Sequence, residues 1–326
     1  MQIANIGSRE FCNCLALERK LNPAGSAGHF DDALVIEAPL PWRRDMMQQA
    51  GALPQQMIDL LALWLQDYYA GKGYPHLPLA VAPEPAYARE GFRRVMHFTR
   101  PQGMFARFDK AEYLVPVDEL GALAWALYQE REALARFEPY RAADTAHVRD
   151  ILICTHGTVD AACAKFGYPL YKHMRAAYAD QSLRVWRVSH FGGHVFAPTL
   201  MDMPTGHYWA YVEREQAAQI VRREGDVSGL RSHYRGWAGI SGGFGQAAEC
   251  ELWQRYGWAW FDYRKAAEII AHDDAATVDV RYAAPDDEGE TVARFRVEIS
   301  HRIETEVSTG DASRYAYPQY RVEREL

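Results

Sequence analysis

The stretch that decides the reading runs Asp150-Ile151-Leu152-Ile153-Cys154, then Thr155-His156-Gly157-Thr158-Val159-Asp160-Ala161-Ala162-Cys163. Consecutive aliphatic residues ending on a polar loop predict a short buried strand. From Asp160 to Tyr178 the spacing is helical, with an interruption expected near Pro169. Strand, loop and helix in that order open an α/β unit. This one carries a thiol at each end of its loop.

Working outward, Leu183 to Val188, His207 to Val212 and Thr291 to Ile299 read as further strands. Gln246 to Tyr256 and Lys265 to His272 read as helices. The half before residue 145 has a similar alternation. Ala33 to Glu37 fits a buried strand, and Met46 to Tyr69 has helical spacing. Leu77 to Val81 is proline-rich for a central strand. Arg94 to Phe98 and Met104 to Phe108 read as two strands joined by a turn over 100–103, and Asp118 to Phe137 as a helix. The expectation is an α/β chain of two successive units, 1–145 and 146–326, split where the pattern weakens between Tyr140 and His147.

Composition narrows the function classes. Over 326 residues, 36 Lys and Arg against 43 Asp and Glu leave a net charge of −7, which argues against a nucleic-acid partner. No run approaches the roughly 18–20 apolar residues of a spanning helix. Arg9, Glu10, Glu18, Arg19 and Lys20 interrupt any apolar signal core. No membrane partner and a cytoplasmic location are expected. Five cysteines, Cys12, Cys14, Cys154, Cys163 and Cys250, are too few and uneven for a disulfide scaffold.

Half of the twelve histidines, His147, His156, His173, His190, His194 and His207, fall in the window that also holds Cys154 and Cys163. Eight residues separate the two cysteines, and three separate His190 from His194 in Ser189-His190-Phe191-Gly192-Gly193-His194. Gly192-Gly193 and the β-branched neighbours Val188 and Val195 predict a glycine-shaped loop, not a helix face. HExxH is absent, so the zinc-protease reading lacks its motif. Two thiolates and two imidazoles suit Zn²⁺ or a [2Fe–2S] centre. The eight-residue gap is long for a zinc-finger pair. Two further readings stay open on spacing alone: buried apolar thiols beside hydrogen-bonded histidines, or a thiol–disulfide pair.

Cys-x8-Cys followed by His-x-Gly-Gly-His resembles the sucrase/ferredoxin-like family, the thioredoxin-like ferredoxins. So do Val188 to Pro198, Met203-Pro204-Thr205-Gly206 with Tyr208, Tyr234-Arg235-Gly236, and Gln246 to Glu249. Gly25 to His29 and Pro41-Trp42-Arg43-Arg44-Asp45 are similar to the family's opening segment. The resemblance implies two thioredoxin-like units. It also implies one [2Fe–2S] cluster, with Cys154 and Cys163 on one iron and His190 and His194 on the other. A soluble electron carrier with protein redox partners follows from it. Neutral imidazoles in place of two thiolates raise the potential, and the added electron is expected on the imidazole-bound iron with proton uptake. The N-terminal unit has no His-x-Gly-Gly-His and is expected to be cluster-free, serving partner docking or a homodimer contact. A reductase of a small acceptor such as a ferric chelate, or a redox-silent zinc module, are the alternatives. The family's sucrase label carries no activity here, since no carboxylate pair is distinguished.

Two departures stand out. Fungal relatives end in a tryptophan associated with cluster delivery, whereas this chain ends Arg324-Glu325-Leu326, so that route is not expected. Several relatives double the second cysteine; here Ala162 precedes Cys163.

Other signals are set aside. Gly243-Phe244-Gly245-Gln246-Ala247-Ala248 matches G-x-G-x-x-A but follows no strand, and a loop leading into a helix is expected there. Cys12-Asn13-Cys14 reads as structural, and Cys250 as core. Lys165, Lys172, His173 and Arg175 read as a solvated helix face, with docking of an acidic electron donor as the alternative.

Overall fold

The aliphatic run after Asp32 forms strand β1 (Asp32–Glu37), whose last five residues are all buried. Apolar character on both faces requires cover on both faces. The computed structural model, which describes residues 11–48, 51 and 53–325, supplies it. Helix α1 (Cys12–Glu18) precedes β1. Helix α2 (Gln55–Tyr69), strands β2 (His76–Val81), β3 (Phe92–Thr99) and β4 (Asp109–Pro116), and helix α3 (Leu120–Tyr128) follow. β1 pairs in parallel with β2 and antiparallel with β3, and β3 pairs antiparallel with β4.

The second half repeats this connectivity. β5 (Arg149–Cys154), α4 (Tyr168–Tyr178), β6 (Leu183–Val188), β7 (Leu200–Met203) and β8 (His207–Trp209) come in the same order. β5 is parallel to β6 and antiparallel to β7, which is antiparallel to β8. Helix α5 (Arg214–Arg222) and strand β9 (Tyr234–Trp237) complete it. The halves join edge to edge at Val81 and Val188, giving one nine-stranded sheet, β4-β3-β1-β2-β6-β5-β7-β8-β9. The protein is mixed α/β, and the repeated order is compatible with two thioredoxin-like units.

The halves also share a core. Val35, Met96 and Phe98 from the first pack with Leu152, Trp186, Met201 and Trp237 from the second. Beside it lies a buried ion network. Arg184 donates to Glu112 Oε2 at 2.7 Å and to Asp150 Oδ1 at 2.8 Å, and Lys110 donates to Asp150 Oδ2 at 2.6 Å. Each charge has a partner across the junction, as buried charges require.

Helix α6 (Gly242–Tyr256) then leads into an antiparallel four-stranded sheet, β10 (Arg264–His272), β11 (Ala275–Ala283), β12 (Thr291–Glu306) and β13 (Arg314–Arg324). Val278, Val280, Phe295 and Val297 pack onto Trp253 and Trp260. β11 stops pairing with β12 at Glu298, while β12 and β13 continue together to Glu306 and Arg314. A two-stranded ribbon therefore overshoots its sheet.

Several local expectations are corrected. Helix α2 starts at Gln55 because Pro54 occupies its N-cap, not at Met46; residues 49, 50 and 52 of that expectation lie outside the described ones. Residues 77–81 do form a central strand. Ala80 N–H, two residues from Pro78 and of the same parity, donates to Ser189 Oγ. Pro78 therefore turns its donor-less nitrogen away from β1, where β6 pairs only at Val81. Residues 104–108 are a loop, with Phe105 in a single bridge to Lys265, and the second arm of the hairpin is β4. The helix expected over 118–137 ends at Tyr128 and gives way to 3₁₀ turns over Arg131–Tyr140. Residues 265–272 are strand β10, not a helix, because a hairpin with β11 turns through Asp273 at φ 51. The G-x-G-x-x-A segment lies within α6. No helix among the described residues is long and apolar enough to cross a membrane.

Candidate metal centre

Parallel pairing of β5 with β6 sets Cys154 opposite Val188, so the loops leaving both strand ends emerge side by side. Thr155 N–H donates to Val188 O at 3.1 Å and keeps them together. The first loop turns at Asp160, whose Oδ1 accepts from Ala162 N–H at 2.8 Å. The chain then enters a π-helical turn, Cys163–Gly167, that runs into α4 just before Pro169. This turn presses on the strand end. A β-carbon at Gly167 would lie 2.1 Å from Cys154 O.

The second loop is shaped by its glycines. Gly192 and Gly193 have φ of 90° and 79°, the left-handed region that only glycine enters freely. Buried Arg235 holds it from outside, donating to Gly192 O at 3.2 Å, Ser26 O at 2.5 Å and Ser26 Oγ at 3.1 Å. His190 N–H donates to His156 Nδ1 at 3.3 Å, and His156 Nε2 donates to Arg43 O at 3.2 Å. Because Arg43 O can only accept, the proton of neutral His156 sits on Nε2 and its Nδ1 is free to accept. Burial favours that neutral form.

These two loops bring Cys154, Cys163 and His190 together, with their ligand atoms within 4.8 Å of one another. His190 Nδ1 is 3.9 Å from each sulfur. His194 lies beside it, ring centroids 5.2 Å apart, but outside that tight group of three. His194 Nε2 donates to Val307 O at 2.6 Å, and its Nδ1 is buried with no partner. A polar atom in that position is costly unless something binds it.

The two thiols are almost fully buried, 2% and 1% exposed, and neither is in a disulfide. Cys163 as hydrogen-bond donor, aided by His190, favours the Cys154 thiolate against the burial that opposes it. The Cys163 thiol is pushed up by that same contact and by its own burial. Loss of one proton from the pair is thus favoured over loss of both, and a bound cation would favour the second. The donor set of two sulfurs, one facing imidazole and one orphaned imidazole nitrogen fits a metal or an iron–sulfur group.

The other cysteines and histidines of the window sit elsewhere. Cys250 is in the main core. Cys12 is buried with Sγ 3.8 Å from Asp160 Oδ1, and burial, ahead of the nearby Asp160 charge, raises its thiol to about 12. His147 is exposed, His173 packs edge-on to Tyr178, and His207 is buried and stacked 3.5 Å from Phe261. Nothing in the local sequence marks a role at the site for Asp160, Arg235, Val307 or Thr309. Arg235 stood in a quoted motif, but only its contact with Gly192 shows what it does.

Fold and site together define an α/β protein with two buried thiols and one half-buried imidazole grouped at paired strand ends, and a second imidazole beside them. The sucrase/ferredoxin-like family profile matches residues 23–236, and the chain belongs to that family. No curated protein and no solved structure matches it.

Proposed function

We propose that this chain is an electron-transfer protein holding one [2Fe–2S] cluster through Cys154, Cys163, His190 and His194. The observation that carries it is the buried, unbridged thiol pair facing His190 Nδ1, with the orphaned Nδ1 of His194 alongside. Such a cluster would supply one-electron redox chemistry, at a potential raised by its imidazole ligands. The protein's part is to hold both imidazoles by Nδ1 and to keep water from the sulfurs. The outer Nε2 of His194 is held by Val307 O, whereas that of His190 makes no hydrogen bond among the described residues. Proton uptake with the electron is part of the proposal, and the potential should then fall as pH rises. A reducing, cytoplasmic setting suits free thiols, and the partners proposed are a protein donor and a protein acceptor.

A single Zn²⁺ is the competing occupant, favoured by the closeness of three donor atoms. Anaerobic purification decides between them. A red-brown protein with iron and sulfide in equal amounts and a rhombic signal on reduction supports the cluster. Stoichiometric zinc without colour supports the second reading. Material that stays colourless after reconstitution overturns the first. Turnover with a ferric chelate at a rate above electron exchange would reassign the protein as a reductase.

A further inference from the structure

All four candidate ligands lie inside the family-matched segment, but two elements that close over them lie outside it, one on each side. The tip of the β12–β13 ribbon, residues 307–313, reaches the site because β12 continues past the end of its sheet. Its underside is anchored. Ile303 and Tyr317 pack against Val195, Phe196, Tyr211 and Leu21, and Arg19 of the chain just after α1 bonds Glu304 O at 2.9 Å and Glu306 Oε2 at 3.0 Å.

At the tip, three contacts converge. Val307 O accepts from His194 Nε2 at 2.6 Å, with Ser308 Oγ 3.2 Å from the same nitrogen. Thr309 donates twice to Asp160, from its N–H to Oδ2 and from Oγ1 to Oδ1, each at 2.8 Å. Cys12 N–H donates to Thr309 Oγ1 at 3.3 Å, bringing in α1. Asp160 in turn holds the N–H of Ala162, the residue before Cys163.

We infer that the tip of the C-terminal ribbon is a built-in clasp of the metal centre: Val307 O fixes which nitrogen of His194 carries the proton, and the Thr309–Asp160 pair locks the tip in place. A carbonyl can only accept, so neutral His194 carries its proton on Nε2 and presents Nδ1 as a lone pair. An imidazole held this way cannot rotate out of its ligating pose without breaking a short hydrogen bond, which is how outer partners orient metal-ligating histidines. The same Asp160 ties the clasp to the Cys163 turn, so one device sets a ligand from each pair. Val307, Thr309 and Asp160 are positioning residues. The inference rests on the ligand assignment proposed above.

Two variants test it. In the first, residues 307–313 are replaced by an Asn-Gly turn that rejoins Glu306 and Arg314, which already face each other in the ribbon. In the second, Thr309→Val removes one of the two donors to Asp160, with Thr309→Ser as the rescue. ¹⁵N imidazole shifts of the metal-free protein report the His194 tautomer. The potential, the reduced-state spectrum and the rate of iron loss to a chelator report the loaded one. The wild type and Thr309→Ser should show a single Nε2–H tautomer. The shortened ribbon should mix tautomers, shift potential and spectrum, and lose iron at least about tenfold faster, with Thr309→Val between them. A shortened ribbon with the wild-type tautomer and iron-loss rate overturns the clasp. If the shortened chain does not fold, a Thr309→Val protein matching wild type in both readouts overturns it equally. A wild-type protein that takes up no cluster sinks the iron–sulfur reading instead, and the tautomer measurement still decides the clasp.

Discussion

The guanidinium of Arg235 stands where any side chain at Gly193 would have to begin. A β-carbon there would lie 2.5 Å from Arg235 Nη2 and 2.6 Å from Cζ. The loop carrying His190 and His194 is thus set by a fully glycine-dependent contact, with the arginine serving as a template and not as a ligand.

Gly193→Ala should therefore loosen the loop of the two candidate ligands His190 and His194. The left-handed φ of 79° alone costs an alanine roughly 1–2 kcal/mol, and the clash with Arg235 adds to it. Gly192→Ala has similar φ but meets nothing within 4 Å, so it carries only the backbone cost. Iron content per chain should fall for Gly193→Ala well below that for Gly192→Ala. Equal retention in the two variants would show that the Arg235 contact is unimportant.

Gly167→Ala tests the seat of Cys163. Its β-carbon would sit 2.1 Å from the backbone oxygen of Cys154, too close for any rotamer to relieve. Overpacking of this kind costs about 1–3 kcal/mol or more. Exposed Gly229 has nothing within 4 Å, and Gly229→Ala should stay within about 0.5 kcal/mol of wild type. Denaturant midpoints of the two variants make the comparison.

Stability should fall in acid through Glu112. Burial alone would raise its carboxyl, but Arg184, then Arg94 and Lys110, outweigh it and hold the group at about 2 against an ordinary 4.5. A depressed carboxyl stabilises the fold above its unfolded pKa. That contribution, about 3 kcal/mol, is lost as pH drops from roughly 4.5 towards 2. Glu112→Gln should cost about 3–5 kcal/mol at pH 7 by stranding the cations. It should also flatten the acid slope in that window. Unfolding curves at pH 7, 4 and 3 read both effects, and an unchanged slope in Glu112→Gln would assign the acid sensitivity to other groups.

Thiol replacement should separate ligands from filler. Cys163→Ser should abolish the visible absorbance of the anaerobically prepared protein. Cys250→Ala, in the main core, should cost roughly 1 kcal/mol for the lost apolar volume and keep its colour. Cys12→Ser is the informative intermediate. Its sulfur lies by Asp160 and Thr309, so the colour should persist while iron loss quickens. Retained absorbance in Cys163→Ser would sink the ligand assignment.

Much of the site could be read from residue order because its determinants are local. An aliphatic run breaking at a cysteine gives the strand β5 and its exit. Adjacent glycines between two histidines give a left-handed loop. A proline after a helical start marks the irregular turn before α4. Elsewhere, neighbours along the chain are a poor guide to structure. Lys265-Ala266-Ala267 favours a helix in isolation, but pairing with β11 across a hairpin makes it strand, with Lys265 buried and donating to Trp260 O at 3.1 Å.

Residue order by itself determined the donor types, their spacing and the α/β alternation that puts them on loops at strand ends. Tertiary structure alone decided that the two halves share one sheet, that Arg235 braces the glycine loop, and that the proton of His194 is placed by a carbonyl 113 residues away. Periodicity and turn chemistry act over a few residues, so they are written in the local sequence. A backbone carbonyl is the same group at every position, and only the folded path of the chain determines which side chain it meets.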